Sequence, residues 1–297
     1  MSRVILLPAL LVTPLLAGCG GRSVLPAAKA EQVLARVREA HEAGTWSRVR
    51  SAAGPLLDAH PRTPGSEEAL FLVADAEEHR GRPTAAYEAY ETLAREHPAS
   101  DRLRELSRRE FAMAAARHEQ GKPRLSGHFL HFGPPLSEVL EDCVRHDPYG
   151  EQAPYALLLA ATCEYDAGRW EEAEDLLGRV LRDYPKSPWV PQATFLQAMS
   201  AFRQCKGASY DALPLRNAKE RFLAFLSASP EGPDALAARR MLILIGDIWA
   251  ERLVLDAEVY RKLDQPQAAA LSLREAASRW PDSPWAEKAR QELESGK

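Results

Sequence analysis

Apolar residues recur at helical spacing through most of the chain, and a proline closes each of the helix-like stretches that they define. Six dipeptides stand at these ends: His60-Pro61, His97-Pro98, Asp147-Pro148, Tyr184-Pro185, Ser229-Pro230 and Trp280-Pro281. The residue before a proline is disfavoured in the helical region, because the proline ring clashes with its backbone and Cβ. The pattern therefore predicts six helices that end at equivalent points of a repeated unit.

Two further positions keep a fixed distance from these prolines. Twelve residues before the prolines stand apolar residues, four of which are alanine: Val49, Ala86, Leu136, Ala173, Ala218 and Ala269. Seventeen residues before three of the prolines stand Gly44, Gly81 and Gly168. A glycine allows a helix to end in a left-handed residue and the chain to reverse. A small residue five positions later lets the second helix approach the first, so each unit is predicted to be a helical hairpin that stacks on its neighbours.

The segment 151–187 shows this unit most clearly. Ala153–Tyr165 and Glu171–Asp183 are its predicted helices, and Ala167-Gly168-Arg169-Trp170 is the turn between them. The unit resembles a tetratricopeptide repeat, although the proline intervals exceed the ~34 residues of a simple repeat. The extra length is assigned to a loop insertion at 120–135, a loop around 205–214 and a long helix within 234–263.

These observations predict the fold class. We expect an all-α, right-handed superhelical solenoid of about six tetratricopeptide-like hairpins, with Ser283–Leu293 as a C-terminal capping helix. Its best-defined units are 151–190 and 234–293, and the first hairpin is the most degenerate.

The chain begins with a short apolar run that ends in Leu16-Ala17-Gly18-Cys19. Val4–Ala17 is only about 14 residues long, whereas a membrane-spanning helix needs ~20. The run is therefore typical of a signal peptide, and its last four residues resemble a bacterial lipobox, in which the cysteine is acylated. We expect a signal peptide at 1–18, a lipidated linker at 19–29 that begins with Cys19, and the solenoid at 30–297. The alternative is an ordinary secretory signal with an incidental cysteine.

Composition narrows the classes of partner. The 38 basic residues are outnumbered by 42 acidic ones, giving a formal charge of −4, and no polybasic segment follows Cys19. Nucleic acid is therefore not an expected partner, and membrane attachment is expected through acyl chains on Cys19. The three other cysteines are interpreted as buried small apolar residues, although a disulfide between Cys143 and Cys163 remains an alternative in an exported protein.

Residues that could support catalysis do not form a recognisable constellation. His128 and His131 have a spacing that suits a metal on a helix, but glycine and proline on both sides argue against a helix there. The chain contains neither a nucleophile elbow nor a phosphate-binding loop. We expect no enzymatic activity and no cofactor; a metal or small-molecule site in the 120–135 insertion is the enzymatic alternative.

The tryptophans offer a choice between packing and binding. Trp46 and Trp170 follow the turn glycines and are expected to seal the hairpin ends, and Trp189 and Trp285 are expected to pack at the start of the next helix. The alternative is that such residues line a peptide groove. Because first helices line the concave surface of tetratricopeptide solenoids, three first-helix residues are the candidates for that groove: Tyr155, Glu164 and Arg203.

The complete pattern resembles the BamD (YfiO) family of outer-membrane lipoproteins. The resemblance rests on the lipobox at Cys19 and on three later stretches: Gly168-Arg169-Trp170-Glu171-Glu172-Ala173, Tyr184-Pro185-Lys186-Ser187-Pro188-Trp189 and Trp280-Pro281-Asp282-Ser283-Pro284-Trp285-Ala286. It covers most of residues 30–295 and is most specific in 151–190 and 255–293.

This resemblance implies a function and a location. It implies a non-enzymatic scaffold on the periplasmic face of the outer membrane, within the machinery that folds and inserts β-barrel proteins. The implied partners are the periplasmic domains of the β-barrel insertase, other assembly lipoproteins and unfolded outer-membrane proteins. Gly20 after the cysteine is compatible with sorting to the outer membrane. The alternative is a periplasmic tetratricopeptide adapter for peptidoglycan or cell-division machinery.

Overall fold

The structure is a computed structural model that describes residues 25–121 and 133–295. Helices account for nearly all of the regular structure in these residues. In chain order they are α1 Ala27–Glu42, α2 Trp46–Ala59, α3 Pro64–His79, α4 Pro83–Glu96, α5 Leu103–Glu119, α6 Leu136–His146, α7 Ala153–Asp166, α8 Trp170–Asp183, α9 Val190–Arg203, α10 Leu213–Ala228, α11 Pro233–Lys262, α12 Pro266–Arg279 and α13 Pro284–Ser295. They form six consecutive pairs followed by one C-terminal helix, so the predicted all-α architecture of tetratricopeptide-like hairpins is confirmed in this part of the chain.

The described residues form two compact units. The first contains residues 25–80 and 88–97, and the second contains 81–87, 98–121 and 133–295. Within each unit, the helices in contact are neighbours or next-but-one neighbours in chain order, such as α7 with α6, α8 and α9. This local packing is typical of a tetratricopeptide solenoid.

Some sequence predictions lie outside the described residues. Cys19 and the proposed signal peptide precede residue 25, and most of the insertion, including His128 and His131, lies within 122–132. Helix α1 begins at Ala27 and therefore includes the end of the predicted linker 19–29. In the described part of the chain, no helix combines the length and the apolar character needed to cross a membrane.

The prolines end the second helix of each pair as predicted. Each of these helices stops two residues before its proline, as α8 does at Asp183 before Pro185. The intervening residue, Tyr184, has φ −129° and ψ 53°, which is outside the helical region, yet its N–H still donates to the carbonyl of Val180 at 3.0 Å. The helix therefore ends at Asp183, although the carbonyl of Val180 still accepts a backbone hydrogen bond.

The three predicted turn glycines adopt the left-handed conformation. Their φ values are +63° at Gly44, +67° at Gly81 and +77° at Gly168. At the last of these, the N–H of Gly168 donates to the carbonyl of Tyr165 and the N–H of Arg169 donates to that of Glu164, at 3.0 and 2.9 Å. These two bonds form a Schellman motif, which satisfies carbonyls at the end of α7 while the chain reverses.

The last hairpin makes the same turn without glycine. Asp264 stands seventeen residues before Pro281 and has φ +58°. The N–H of Asp264 donates to the carbonyl of Arg261 at 3.0 Å, and that of Gln265 donates to Tyr260 at 2.9 Å, which is the same bonding pattern. A residue with a Cβ is strained in this region, although aspartate tolerates it better than most. The last hairpin thus forms the same turn with aspartate in place of glycine.

The apolar position twelve residues before the helix-ending proline is buried in all six described hairpins. Relative exposure is 3% or less at all six positions: Val49, Ala86, Leu136, Ala173, Ala218 and Ala269. Leu136, Ala218 and Ala269 belong to three hydrophobic clusters that follow one another along the second unit, around α6–α8, α9–α11 and α11–α13. Helix α7 contributes most to the first cluster, with Leu157 and Leu158 almost fully buried.

Turn strain gives a paired test of this repeat geometry. We expect Gly168→Ala to lower the free energy of unfolding by about 1–2 kcal/mol, because alanine is strained at positive φ. Asp264→Gly should raise it by up to about 1 kcal/mol, because the strain at Asp264 is relieved. Urea unfolding followed by circular dichroism measures both changes. A loss of stability in Asp264→Gly would contradict the assignment of an equivalent strained turn.

Close helix packing gives a second test. Ala173→Leu should cost about 1–3 kcal/mol of unfolding free energy, because the added atoms enter a filled interface between α7 and α8. The matched control is Ala224→Leu, at an exposed alanine of α10, where a change within about 0.5 kcal/mol is expected. Equal effects of the two substitutions in thermal or urea unfolding would contradict the predicted role of the small residue.

Candidate peptide-binding groove

A groove of about 1160 Å³ lies in the second unit, between the α6–α7 loop and the α8–α9 loop. It is lined by α6 residues, by the two loops and by the adjoining parts of α7 and α8. The lining residues are Ser137, Glu138, Glu141, Asp142, Val144, Arg145, Pro148, Tyr149, Gly150, Glu151, Pro154, Arg179, Asp183, Tyr184, Pro185, Lys186, Ser187 and Pro188. Both loops follow a helix-ending proline dipeptide, so the repeat pattern itself places them on the same edge of consecutive hairpins.

The α8–α9 loop is held in a compact turn by local hydrogen bonds. The N–H of Ser187 donates to the carbonyl of Tyr184 at 2.9 Å, and the Ser187 hydroxyl accepts from the N–H of Trp189 at 3.2 Å. Pro185 and Pro188 fix two more backbone φ angles of this loop. The loop therefore presents a wall that loses little conformational entropy when a ligand binds.

The α6–α7 loop turns tightly at Gly150. Its N–H donates to the carbonyl of Asp147 at 3.1 Å, and a Cβ at Gly150 would come within 2.5 Å of the Asp147 carboxylate. A larger residue at position 150 would therefore displace the Asp147 carboxylate. The turn leaves Tyr149 with 96% of its surface exposed, at the rim of the groove and of a neighbouring cavity of about 290 Å³.

A single side chain joins the two loops. The Tyr184 hydroxyl donates to the carbonyl of Pro148 at 2.7 Å. Burial, followed by the nearby charge of Asp183, raises the pKa of this phenol above its ordinary value. The hydroxyl thus remains a donor at neutral pH, and the hydrogen bond fixes the distance between the walls.

The lining contains more negative than positive charge. Five of the lining residues are acidic, namely Glu138, Glu141, Asp142, Glu151 and Asp183, and three are basic, namely Arg145, Arg179 and Lys186. Two of the basic residues pair within the groove: Arg179 contacts Glu141 at 2.5 Å, and Arg145 pairs with Asp142. Glu138 and Glu151 are exposed. The groove therefore combines proline and tyrosine surface with accessible carboxylates, which suits a polypeptide rather than an anion.

The three groove residues expected from the sequence lie elsewhere. Tyr155 is half-buried: its ring stacks on Trp189 at a centroid distance of 4.5 Å and meets Phe111 edge-on at 5.8 Å. Arg203 is exposed at the end of α9, where its Nε donates to the Tyr165 hydroxyl at 3.1 Å. Neither residue belongs to the lining of the groove. Their proposed contact with a peptide remains a prediction.

Glu164, the third candidate, has a clear internal role. Its side chain is buried and pairs with Arg169 across the Schellman turn. Burial alone would raise the pKa of this carboxyl, but the hydrogen bonds that it accepts from Arg169 and Ser137 hold that pKa below its ordinary value. Glu164 thus stabilises the α7–α8 turn and connects it to α6, and it too is outside the groove lining.

The tryptophans that were expected to pack do so where their contacts are described. Trp46 stacks on His79 at 4.3 Å, next to the turn at Gly44. Trp189 packs on Tyr155 at the start of α9.

Cys143 and Cys163 are free thiols, so the structure does not form the alternative disulfide. Burial raises the pKa of the Cys163 thiol to about 11, which keeps it protonated.

The helical periodicity of the sequence does not predict the groove. It indicates only that Pro148 and Pro185 follow helix ends, although these prolines and the residues after them line both walls. The available signal was the presence of a second proline shortly after each stop, Pro154 and Pro188, together with a tyrosine in each loop. Two such loops on consecutive hairpins predict a rigid surface at one edge of the stack.

Comparison with solved structures finds similar chains at low sequence identity. They include the type IV pilus biogenesis factor PilW, with 16% identity over 88% of this chain and 98% of that one and a TM-score of 0.32. PilF from Pseudomonas aeruginosa has 11% identity over 89% and 97%, with a TM-score of 0.32. A tetratricopeptide repeat protein from Parabacteroides merdae has 12% identity over 89% and 97%, with a TM-score of 0.33. No curated protein sequence matches the chain.

Two family models match the chain. A tetratricopeptide repeat model matches residues 68–100. The YfiO model, described as an outer membrane lipoprotein, matches residues 137–295, which include the groove, α7 to α12 and the C-terminal helix. Because this match covers more than half of the 297 residues, the chain belongs to the YfiO family of outer membrane lipoproteins.

Proposed function

We propose that the protein is a non-enzymatic, lipid-anchored scaffold subunit of the machinery that assembles β-barrel proteins in the outer membrane. The observation that supports this most strongly is the YfiO family match over 137–295. The matched part contains three stacked hairpins, α6 before them and the C-terminal helix α13 after them. Stacked hairpins of this kind are protein-interaction surfaces, and the partner is not fixed by the fold alone.

The anchor is proposed at Cys19, on the periplasmic face of the outer membrane. Support comes from the apolar run before it, which at about 14 residues is too short to span a bilayer, and from the lipoprotein family. Acylation at two positions or more gives stable attachment without a membrane-spanning helix. The proposed partners are the periplasmic domains of the barrel-forming insertase, other assembly lipoproteins and unfolded outer-membrane proteins.

A pull-down tests the proposed partners. The tagged, lipidated protein is solubilised with detergent from its native envelope, and the bound proteins are identified by mass spectrometry. We expect recovery of a large outer-membrane barrel protein that has periplasmic domains, in near-stoichiometric amount. Recovery of peptidoglycan synthases or division proteins without that barrel protein would overturn the proposal in favour of an envelope adapter.

The anchor has its own test in the same preparation. Cys19→Ala should move the protein from the membrane fraction to the soluble periplasmic fraction, because the acyl acceptor is lost. The matched control is Cys205→Ala, since Cys205 is a free cysteine outside the proposed lipobox. If Cys19→Ala left the protein fully membrane-bound, the proposed lipid anchor would be wrong.

A further inference from the structure

The groove between the α6–α7 and α8–α9 loops is larger than a typical small-molecule site. Its volume is about 1160 Å³, whereas small-molecule pockets usually measure ~300–1,000 Å³. All of its lining residues come from two consecutive hairpins, so the surface runs along one edge of the stack. Its dimensions suit a length of polypeptide.

The walls exclude one common mode of peptide recognition. Pro148, Pro154, Pro185 and Pro188 have no backbone N–H, so these positions cannot donate to an added β-strand. Recognition must instead use side-chain contacts with the proline rings and with Tyr149 and Tyr184. Because the two loops are already fixed by the bond from Tyr184 to Pro148, binding costs little loop entropy.

The net charge of the groove lining determines whether a positively or a negatively charged ligand is favoured. Of the three basic residues, Arg179 and Arg145 already pair with Glu141 and Asp142. Asp142 also accepts a hydrogen bond from Tyr87, so it is satisfied within the fold. The exposed Glu138 lies in the first turn of α6, and the exposed Glu151 lies in the α6–α7 loop, two residues after Tyr149. A ligand with positive side chains complements them, and a negatively charged ligand meets net repulsion.

We infer that this groove binds an extended, positively charged segment of a partner protein, with lysine or arginine at Glu138 and Glu151 and apolar side chains against the proline and tyrosine walls. The inference rests on the proposed scaffold function and names the class of partner segment that the scaffold holds. Alternation of basic and apolar residues fits best, because successive side chains of an extended chain point to opposite sides.

Fluorescence anisotropy with designed peptides tests this inference on the purified full-length protein. One labelled peptide alternates lysine with valine, and its partner has glutamate in place of each lysine. We expect binding of the lysine peptide only, weakening as salt is added because exposed charges are screened. Equal binding of the two peptides, or binding of neither, would overturn the inference.

Charge reversal locates the site. Glu138→Lys combined with Glu151→Lys should weaken binding of the lysine peptide about tenfold, and Tyr149→Ala should weaken it several-fold. The matched control is Glu39→Lys with Glu294→Lys, which makes the same change in net charge at two exposed acids outside the groove. Circular dichroism checks that each variant is folded. If the control weakens binding as much as the groove variant, the assignment to this groove is wrong.

The outcome is separable from that of the pull-down. Recovery of the barrel protein together with failure of the lysine peptide would reject the groove assignment and leave the scaffold proposal standing. Groove-dependent peptide binding without any barrel protein in the pull-down would reject the assembly role and support the site alone.

Discussion

The reversal of the chain between the two helices of each hairpin is the constraint on which the rest of the structure depends. In four of the six described hairpins a left-handed residue follows the first helix (Gly44, Gly81, Gly168 or Asp264), and five positions later a small or apolar residue is buried. These two positions fix the hairpin, and a proline sets the length of its second helix. The ion pair between Glu164 and Arg169 spans this same turn in the best-defined unit. The family motif around Gly168 is therefore explained by structural roles: the glycine turns, the arginine pairs, and Ala173 packs.

The groove follows from the regular position of the prolines that end the second helices. Since α6 and α8 each stop before a proline, the loops that follow them lie at one edge of the second unit and face the same cavity. Gly150 and the Tyr184 hydroxyl then hold the two walls in place. The prolines at the ends of α6 and α8 thus have two roles: Pro148 and Pro185 limit these helices and also line the groove.

The hairpins could be predicted from the sequence because their determinants are local. The bounds of α7 and α8 agree with the predicted helices to within a residue, and the long helix expected within 234–263 is α11, Pro233–Lys262. The groove could not be predicted in this way, because its walls belong to different hairpins and their separation is set by packing. Periodicity placed Tyr155 and Glu164 on a first helix, but it could not show that one stacks on Trp189 and the other pairs with Arg169. Even the turn at Asp264 was visible only as a spacing, since no glycine stands there.

The restriction of helix contacts to near neighbours in the chain has a kinetic consequence. Chains whose contacts are short-range in sequence have low contact order, and they fold faster than chains of similar size whose contacts join distant segments. A hairpin can form as soon as its own two helices are available, and the next can be added by docking on it, without waiting for the other end of the chain. Such stepwise folding shortens the time during which the apolar faces of unpaired helices are exposed to other unfolded chains.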